Sequence, residues 1–263
     1  MIRSYLRRLA ISVLSPLTKN YIYTKEFAGT KIRRKGNLGF LRKYNVTMEE
    51  CFLSKMEHKD KTIYDIGAHI GIVTLFFAKA VGPSGRVVAF EPNYEDYKRI
   101  IEHTQLNDVD NVQVLNIGIG DIQGINTLVF NQNDHGRGSM VEDIQSQIFK
   151  ERGAAQLKVE VDTLDACIVL NNLPKPDFIK IDIEGMEYNA LIGMSETIAR
   201  YAPSLYIEIH GATREGKNKN IRRIVELLLP KGYSIYHVES EQAITINNIS
   251  VARKGHIFCI KSR

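Results

Sequence analysis

Six ionisable side chains fall where a buried strand runs out. Asp65 closes TIYD, Glu91 closes VVAFE, Asp182 and Glu184 lie in KIDIEG, and Glu208 and His210 lie in YIEIHG. An unpaired charge at the end of an apolar strand is costly, so each needs a partner or a task. In open α/β sheets ligands bind beyond the carboxyl ends of the strands. Asp182 and Glu184 alternate along the chain, so both point to one face, and Lys180 shares that face one step deeper. A salt-bridged strand end, Lys180 with Asp182 or Glu208, is the plain reading. The chemical reading is a group of carboxylates and one imidazole that orients or deprotonates a nucleophile. An unperturbed His210 titrates near neutral pH.

The stretch that must position these groups is Thr62 to Pro92. Ile63 and Tyr64 lead into Asp65. Gly67, Ala68, His69, Ile70 and Gly71 form a turn, and an apolar helix follows through Ala80. Gly82-Pro83-Ser84-Gly85 breaks it, and Val87 to Phe90 runs as a second strand into Glu91. Strand, glycine turn, helix, strand and acid make a nucleotide-type unit, in which glycine lets backbone approach a ligand and the acid suits a ribose diol. A dinucleotide fingerprint requires G-x-G-x-x-G. Here the spacing is G-x-x-x-G, and Asp65 would repel a pyrophosphate while suiting an ammonium. S-adenosylmethionine, cationic and phosphate-free, fits better than NAD. The alternatives are an NAD-dependent oxidoreductase and a βαβ turn without ligand.

Along the chain, Thr47-x-x-Glu50 is a capping box that starts a helix over 48–56, and 58–61 form a polar link. A helix over 93–106 is followed by strands over 112–117, 127–130 and 156–161. Residues 122–161 break the βα rhythm and read as a β insertion with a mobile glycine-rich loop over 131–138; the insertion either covers the substrate or is a plain surface hairpin. Asp162 or Thr163 caps a short helix. Strand 178–183, one helix from Glu184 to about Arg200, strand 205–209 and a helix over 220–229 complete the alternation. Tyr233 to Val238 and His256 to Ile260 pair antiparallel. Such alternation predicts a mostly parallel sheet covered on both faces.

YDIGAHIG, VVAFEP, VDTLDAC, KIDIEGME and YIEIHG, in this order, resemble the FkbM family of S-adenosylmethionine-dependent methyltransferases over about residues 45–262. The resemblance implies the class I (Rossmann-like) methyltransferase fold, a seven-stranded mostly parallel sheet with helices on both faces and the last hairpin reversed. Residues 46–263 would form the methyltransferase domain and 1–45 an N-terminal helical extension. It implies O-methylation of a hydroxyl on a sugar, glycolipid or other small metabolite, as in polysaccharide biosynthesis. By position, Asp65, Gly67, Ala68, His69 and Gly71 would shape the methionine end, Glu91 would hold the ribose, and Asn93 would lie beside the adenine. Many class I enzymes carry an acid past the third strand for the adenine amine; Gly118 stands there, leaving Asn116 or backbone. Asp182 would orient or deprotonate the acceptor, with His210 or Glu208 as alternative base. The reading prefers a metal-free site; Asp182, Glu184 and His210 around a divalent ion are the alternative.

Composition bounds the rest. The chain has 263 residues, net charge +5 and three scattered cysteines without metal spacing, as in a reduced cytoplasmic protein. No apolar run is long enough to span a membrane. Ile2, Tyr5, Leu6, Leu9, Val13 and Leu14 alternate with Arg3, Arg7 and Arg8, an amphipathic helix that docks on the domain or lies peripherally on a membrane. No aromatic-rich basic stripe is present, so no nucleic-acid partner is expected. A non-catalytic binding subunit of a glycan-modifying assembly is the rival from another class.

Overall fold

The computed structural model describes residues 21–36, 46–132 and 134–261. The expected helix over 1–20 lies outside the described residues. At the front, strands β1 (Ile22–Phe27) and β2 (Thr30–Lys35) pair as a hairpin. Helix α1 (Met48–Leu53) follows, begun by the expected capping box: the Glu50 amide donates to Thr47 Oγ1 and the Thr47 amide to Glu50 Oε2. Glu50 Oε1 also accepts the Ala28 amide at 3.0 Å, so one buried carboxylate ties hairpin to helix. The helix ends three residues before the expected Met56. His58, expected in a polar link, is buried, with Nε2 2.7 Å from the Leu53 carbonyl and its ring edge-on to Phe76 and Phe77.

The main sheet is built from β3 (Thr62–Ile66), β4 (Arg86–Phe90), β5 (Val112–Leu115), β10 (Phe178–Ile181), β11 (Ser204–Glu208), β12 (Tyr233–His237), β13 (Gln242–Ala243) and β14 (His256–Lys261). Its order is β13-β12-β14-β11-β10-β3-β4-β5. β11, β10, β3, β4 and β5 are parallel, and β14 runs antiparallel between β11 and β12. The expected seven strands are present; the eighth, β13, is a two-residue addition at the edge. Strand periodicity divides the core. Tyr64, Ile66, Ile179, Ile181, Leu205 and Ile207 pack on one face under the C-terminal helices. Ile63, Phe178 and Tyr206 pack on the other, with Leu53, Phe76 and Phe77, and with Phe27 and Ile32 of the hairpin.

Helices α2 (Ile72–Val81), α3 (Tyr94–Leu106), α5 (Leu164–Leu170) and α8 (Arg214–Leu228) follow the predicted alternation. α8 begins earlier than expected because Thr213 Oγ1 caps it, accepting from the Gly216 amide. The helix expected from Glu184 to Arg200 is two, α6 (Glu187–Ile192) and α7 (Ser195–Tyr201). They divide at Gly193, where a Cβ would stand 1.9 Å from the Gly120 carbonyl oxygen. The insertion is more ordered than expected. β6 (Gly118–Ile119), β7 (Gly124–Asn131), β8 (Asp134–Ser139) and β9 (Ala154–Asp162) form a second sheet in the order β6-β9-β7-β8, and α4 (Glu142–Ile148) lies against it. The predicted mobile loop is thus largely strand β8. Among the described residues no helix is long and apolar enough to cross a membrane.

Candidate functional site

A cleft opens at the carboxyl ends of β3, β4 and β10, with about 760 Å³ of space counted to its open mouth. Its floor is the turn after β3. Gly67 takes φ +83°, and a Cβ there would fall 1.9 Å from the Asp182 carbonyl oxygen, so only glycine lets the two strand ends meet. His69 takes the left-handed φ +50°, and Gly71 starts α2 at φ +81° against Ile100.

Glu91 closes β4 inside the cleft. Its Oε2 accepts the His69 amide at 2.8 Å and its Oε1 the Asn93 amide at 2.9 Å. Burial pushes its carboxyl up to about 8, against those two amides. Asn93 also lines the cleft and caps α3, its Oδ1 accepting from Glu95 N. Asn116, Ala68 and Gly71, three of the expected cofactor residues, lie outside the cleft lining. Asn116 does not line the cleft; its Nδ2 donates to the Glu91 and Pro92 carbonyls, tying β4 to β5. Ala68 and Gly71 shape the turn from behind, the Ala68 amide donating to the Phe90 carbonyl. Gly118 lines the cleft without a side chain.

Beneath the floor Asp65 is fully buried, accepting from Thr74 Oγ1 at 2.6 Å. Lys180, its in-register neighbour, reaches Asp65 Oδ1 at 3.7 Å and Asp182 Oδ2 at 3.1 Å. Burial raises the Asp65 carboxyl, with Lys180 opposing. Burial also works against the Lys180 charge, but Asp182 and Asp65 hold its pKa above the ordinary value. The expected pairing of Lys180 with Asp182 is therefore present, and it extends to Asp65.

The reactive candidates gather around His210. Its Nδ1 lies 2.9 Å from Oε1 of the fully buried Glu187, which Asn220 Nδ2 and the Gly185 amide hold in place. Its Nε2 faces Glu208 at 3.4 Å, Glu184 at 3.7 Å and Asp182 at 3.9 Å. Burial opposes the charge, yet Glu187 and Glu208 push the imidazole up to about 11, so it is cationic at neutral pH. Burial raises Glu184 to about 7, with His210 opposing. Glu208 moves the other way: burial raises it, but His210 and His256 pull it well below the carboxylate range. One atom each of Asp182, Glu208 and His210 lies within 4.8 Å of the others, a spacing a divalent ion could bridge.

A second imidazole backs the first. His256 Nε2 lies 3.6 Å from Glu208, its Nδ1 lies 2.7 Å from Glu239, and its ring stacks on Tyr206 at 4.9 Å. Gly255, at φ +85°, clears the way: a Cβ there would meet the Glu239 carboxylate at 2.3 Å. Glu187 stands inside the KIDIEGME motif and was legible as a motif residue. His256 and Glu239 carry no such signal, since the closing hairpin alone brings them together.

Among the described residues the cleft lining contains Glu91, Asp96, Asp182 and Glu184 and no lysine or arginine. These carboxylates would repel a pyrophosphate and attract a cationic nucleoside. Strand order, glycine turn, ribose-type acid and reversed β14 together define a class I methyltransferase. Residues 65–235 match the family model described as the methyltransferase FkbM domain. The chain belongs to the FkbM methyltransferase family, and its cofactor is S-adenosylmethionine. Methyltransferase sdnD of Sordaria araneosa is 25% identical over 216 residues, 73% of this chain and 81% of that one. The AMB antimetabolite synthetase AmbE of Pseudomonas aeruginosa is 23% identical over 205 residues, 67% of this chain but 10% of AmbE. The crystal structure of methyltransferase FkbM from Methylobacillus flagellatus superposes with a TM-score of 0.50 at 19% identity, over 80% of this chain and 46% of that one. It supports the fold.

Proposed function

We propose that the chain methylates a hydroxyl oxygen of a sugar, glycolipid or other small metabolite. The observation that carries this reading is the ring of Asp182, Glu184 and Glu208 around His210, at the strand ends next to the cleft. S-adenosylmethionine, when bound, supplies an electrophilic methyl that needs in-line alignment with its acceptor. Glu91 fits the ribose hydroxyls, and Asp65 with the Gly67 turn fits the methionine end. Asp182 orients the acceptor hydroxyl and receives its proton, because it borders both the cleft and the His210 cluster. His210, cationic and anchored by Glu187, balances the carboxylates; Glu208 is held ionised and keeps the imidazole aimed.

The acceptor is uncharged where it meets this acidic group, since a phosphate or carboxylate would be repelled. Nucleic acid is disfavoured on the same ground. The enzyme works in the cytoplasm, with residues 1–20 offering a peripheral membrane contact.

The test is titration of the full chain with S-adenosylhomocysteine and, separately, NAD, followed by transfer of labelled methyl to hydroxylated glycosides with and without chelator. Binding of the first ligand alone, and label in an ether linkage that survives chelation, support the proposal. Label on nitrogen or carbon removes the O-directed reading. Loss of transfer on chelation replaces the metal-free version with the metal one.

A further inference from the structure

The front hairpin and α3 bring together two charges that the cleft does not use. β2 lies along α3: the Arg33 amide donates to Asn107 Oδ1 at 2.8 Å and the Lys35 amide to His103 Nε2 at 3.1 Å. Asn107, His103 and Arg99 are spaced four apart on α3, so they share one line along the helix, and Arg99 comes next in the direction β2 travels. Arg34 points inward from the strand, on the face that carries buried Ile32, with its guanidinium 5.4 Å over the Tyr23 ring. Arg34 and Arg99 are both half-buried. His103 is fully buried and neutral, because its Nδ1 donates to the Ile70 carbonyl at 2.7 Å while its Nε2 accepts from Lys35. Burial holds that imidazole below its ordinary value, and Arg34 and Arg99 push it the same way.

These two guanidiniums lack what their neighbours have. Arg33 meets Asp108 at 4.0 Å and Lys35 meets Glu102 at 3.5 Å. Among the described residues neither Arg34 nor Arg99 has a carboxylate within ion-pair distance, and Arg34 Nε is buried without an acceptor. Burial works against the Arg34 charge, Tyr23 supports it, and Arg99 adds like-charge repulsion. Residues 1–20 and 37–45, which flank the hairpin in the chain, contain six lysines and arginines and no aspartate or glutamate. They bring no counter-charge. A partly buried cation without a partner is costly, and two of them together call for an anion. A guanidinium fork matches a phosphate group through two parallel hydrogen bonds.

We propose that Arg34 and Arg99 form a phosphate-binding site between the β1–β2 hairpin and α3, for the phosphate of an anionic phospholipid headgroup or of a soluble phosphate ester. Neither residue lines the cleft, so the site is separate from that of S-adenosylmethionine, and the inference does not depend on which acceptor is methylated. A headgroup held there would keep the domain at a membrane surface; a soluble ester would be held beside the domain. Partial burial shields the pair from salt more than the exposed Arg33 and Asp108 are shielded.

The experiment is calorimetric titration of glycerol 3-phosphate into the full chain and into Arg34→Gln, Arg99→Gln and Arg33→Gln, each checked for a wild-type circular dichroism spectrum. Each protein is also floated on phosphatidylcholine vesicles with and without phosphatidylglycerol. Arg33→Gln removes the same charge from the outer face of β2. Arg34→Gln and Arg99→Gln each weaken one or both kinds of binding about tenfold or more, and Arg33→Gln less than about threefold. Loss in the titration alone makes a soluble ester the ligand, loss in flotation alone the headgroup, and loss in both a site that takes either; all three support the proposal. If Arg34→Gln spoils the fold, Arg99→Gln carries the comparison with Arg33→Gln. Equal losses in Arg33→Gln and in the Arg34 and Arg99 variants overturn the site, because binding then follows overall charge. Wild-type binding in both Arg34→Gln and Arg99→Gln overturns it, and so does a wild-type chain that binds neither glycerol 3-phosphate nor phosphatidylglycerol vesicles.

Discussion

Cofactor binding should depend steeply on pH through Glu91. Burial holds this carboxyl up to about 8, with the Asn93 and His69 amides opposing the shift. In its proposed role at the ribose, the ionised form accepts hydrogen bonds from both hydroxyls. The free site at pH 6 is two units below that value, so about one molecule in 100 has Glu91 ionised. Affinity for S-adenosylhomocysteine should therefore be about 100-fold weaker at pH 6 than its plateau, a difference of about 2.7 kcal/mol. It should rise about tenfold per unit and level off above pH 8, with close to one proton released per ligand at the acid end. Calorimetry in two buffers of different ionisation enthalpy reads affinity and proton release together. Asp96 and Asp65 both raise the Glu91 value, and Glu184, pushed up to about 7, lines the same cleft. Glu91→Gln should abolish the slope and Glu184→Gln should keep it. A wild-type affinity that stays flat from pH 6 to 8, with no buffer dependence, refutes the assignment of Glu91 to the ribose.

Gly67→Ala should cost about 3 kcal/mol or more, because its Cβ would meet the Asp182 carbonyl at 1.9 Å on a left-handed backbone; thermal melting should fall by several degrees. In wild type, histidine carbon NMR should show His210 charged throughout pH 5 to 9, and Glu187→Gln should bring its titration down into that window. Gly255→Ala should displace the Glu239 carboxylate; His256, now charged up to about 9 as Glu208 and Glu239 overcome its burial, should titrate at lower pH.

The β3–α2–β4 unit was legible because its signals are local: glycine spacing, an apolar helix and acids at strand ends. Thr47 and Glu50 were legible for the same reason, three residues apart with reciprocal bonds. The insertion was misread where β8 pairs with β7, since DHGRGS carries turn residues and no alternation, and cross-strand pairing overrides that composition. Gly193 lies inside the single helix expected from Glu184 to about Arg200, and the break there is set by its contact with Gly120, more than 70 residues earlier in the chain. The charge state of His210 was the least legible feature. An isolated histidine suggests a base near neutrality, but two strand ends and α6 deliver four carboxylates to one ring. Asn116 was assigned by position along the strand, and its side chain faces back over the Glu91 and Pro92 carbonyls just past β4 instead.

The Ser139 hydroxyl bonded to the Glu184 carbonyl joins two sheets at the point where chemistry is expected. Glu184 holds a left-handed φ of +50°, and Gly185 beside it leaves no room for a Cβ, which would stand 2.7 Å from Ile144. A segment transplanted from a relative to retune acceptor choice would thus also reset the aim of two carboxylates. Engineering this enzyme by loop exchange has a natural seam: cut outside 139–144, and the bend at Glu184 travels unchanged into the chimera.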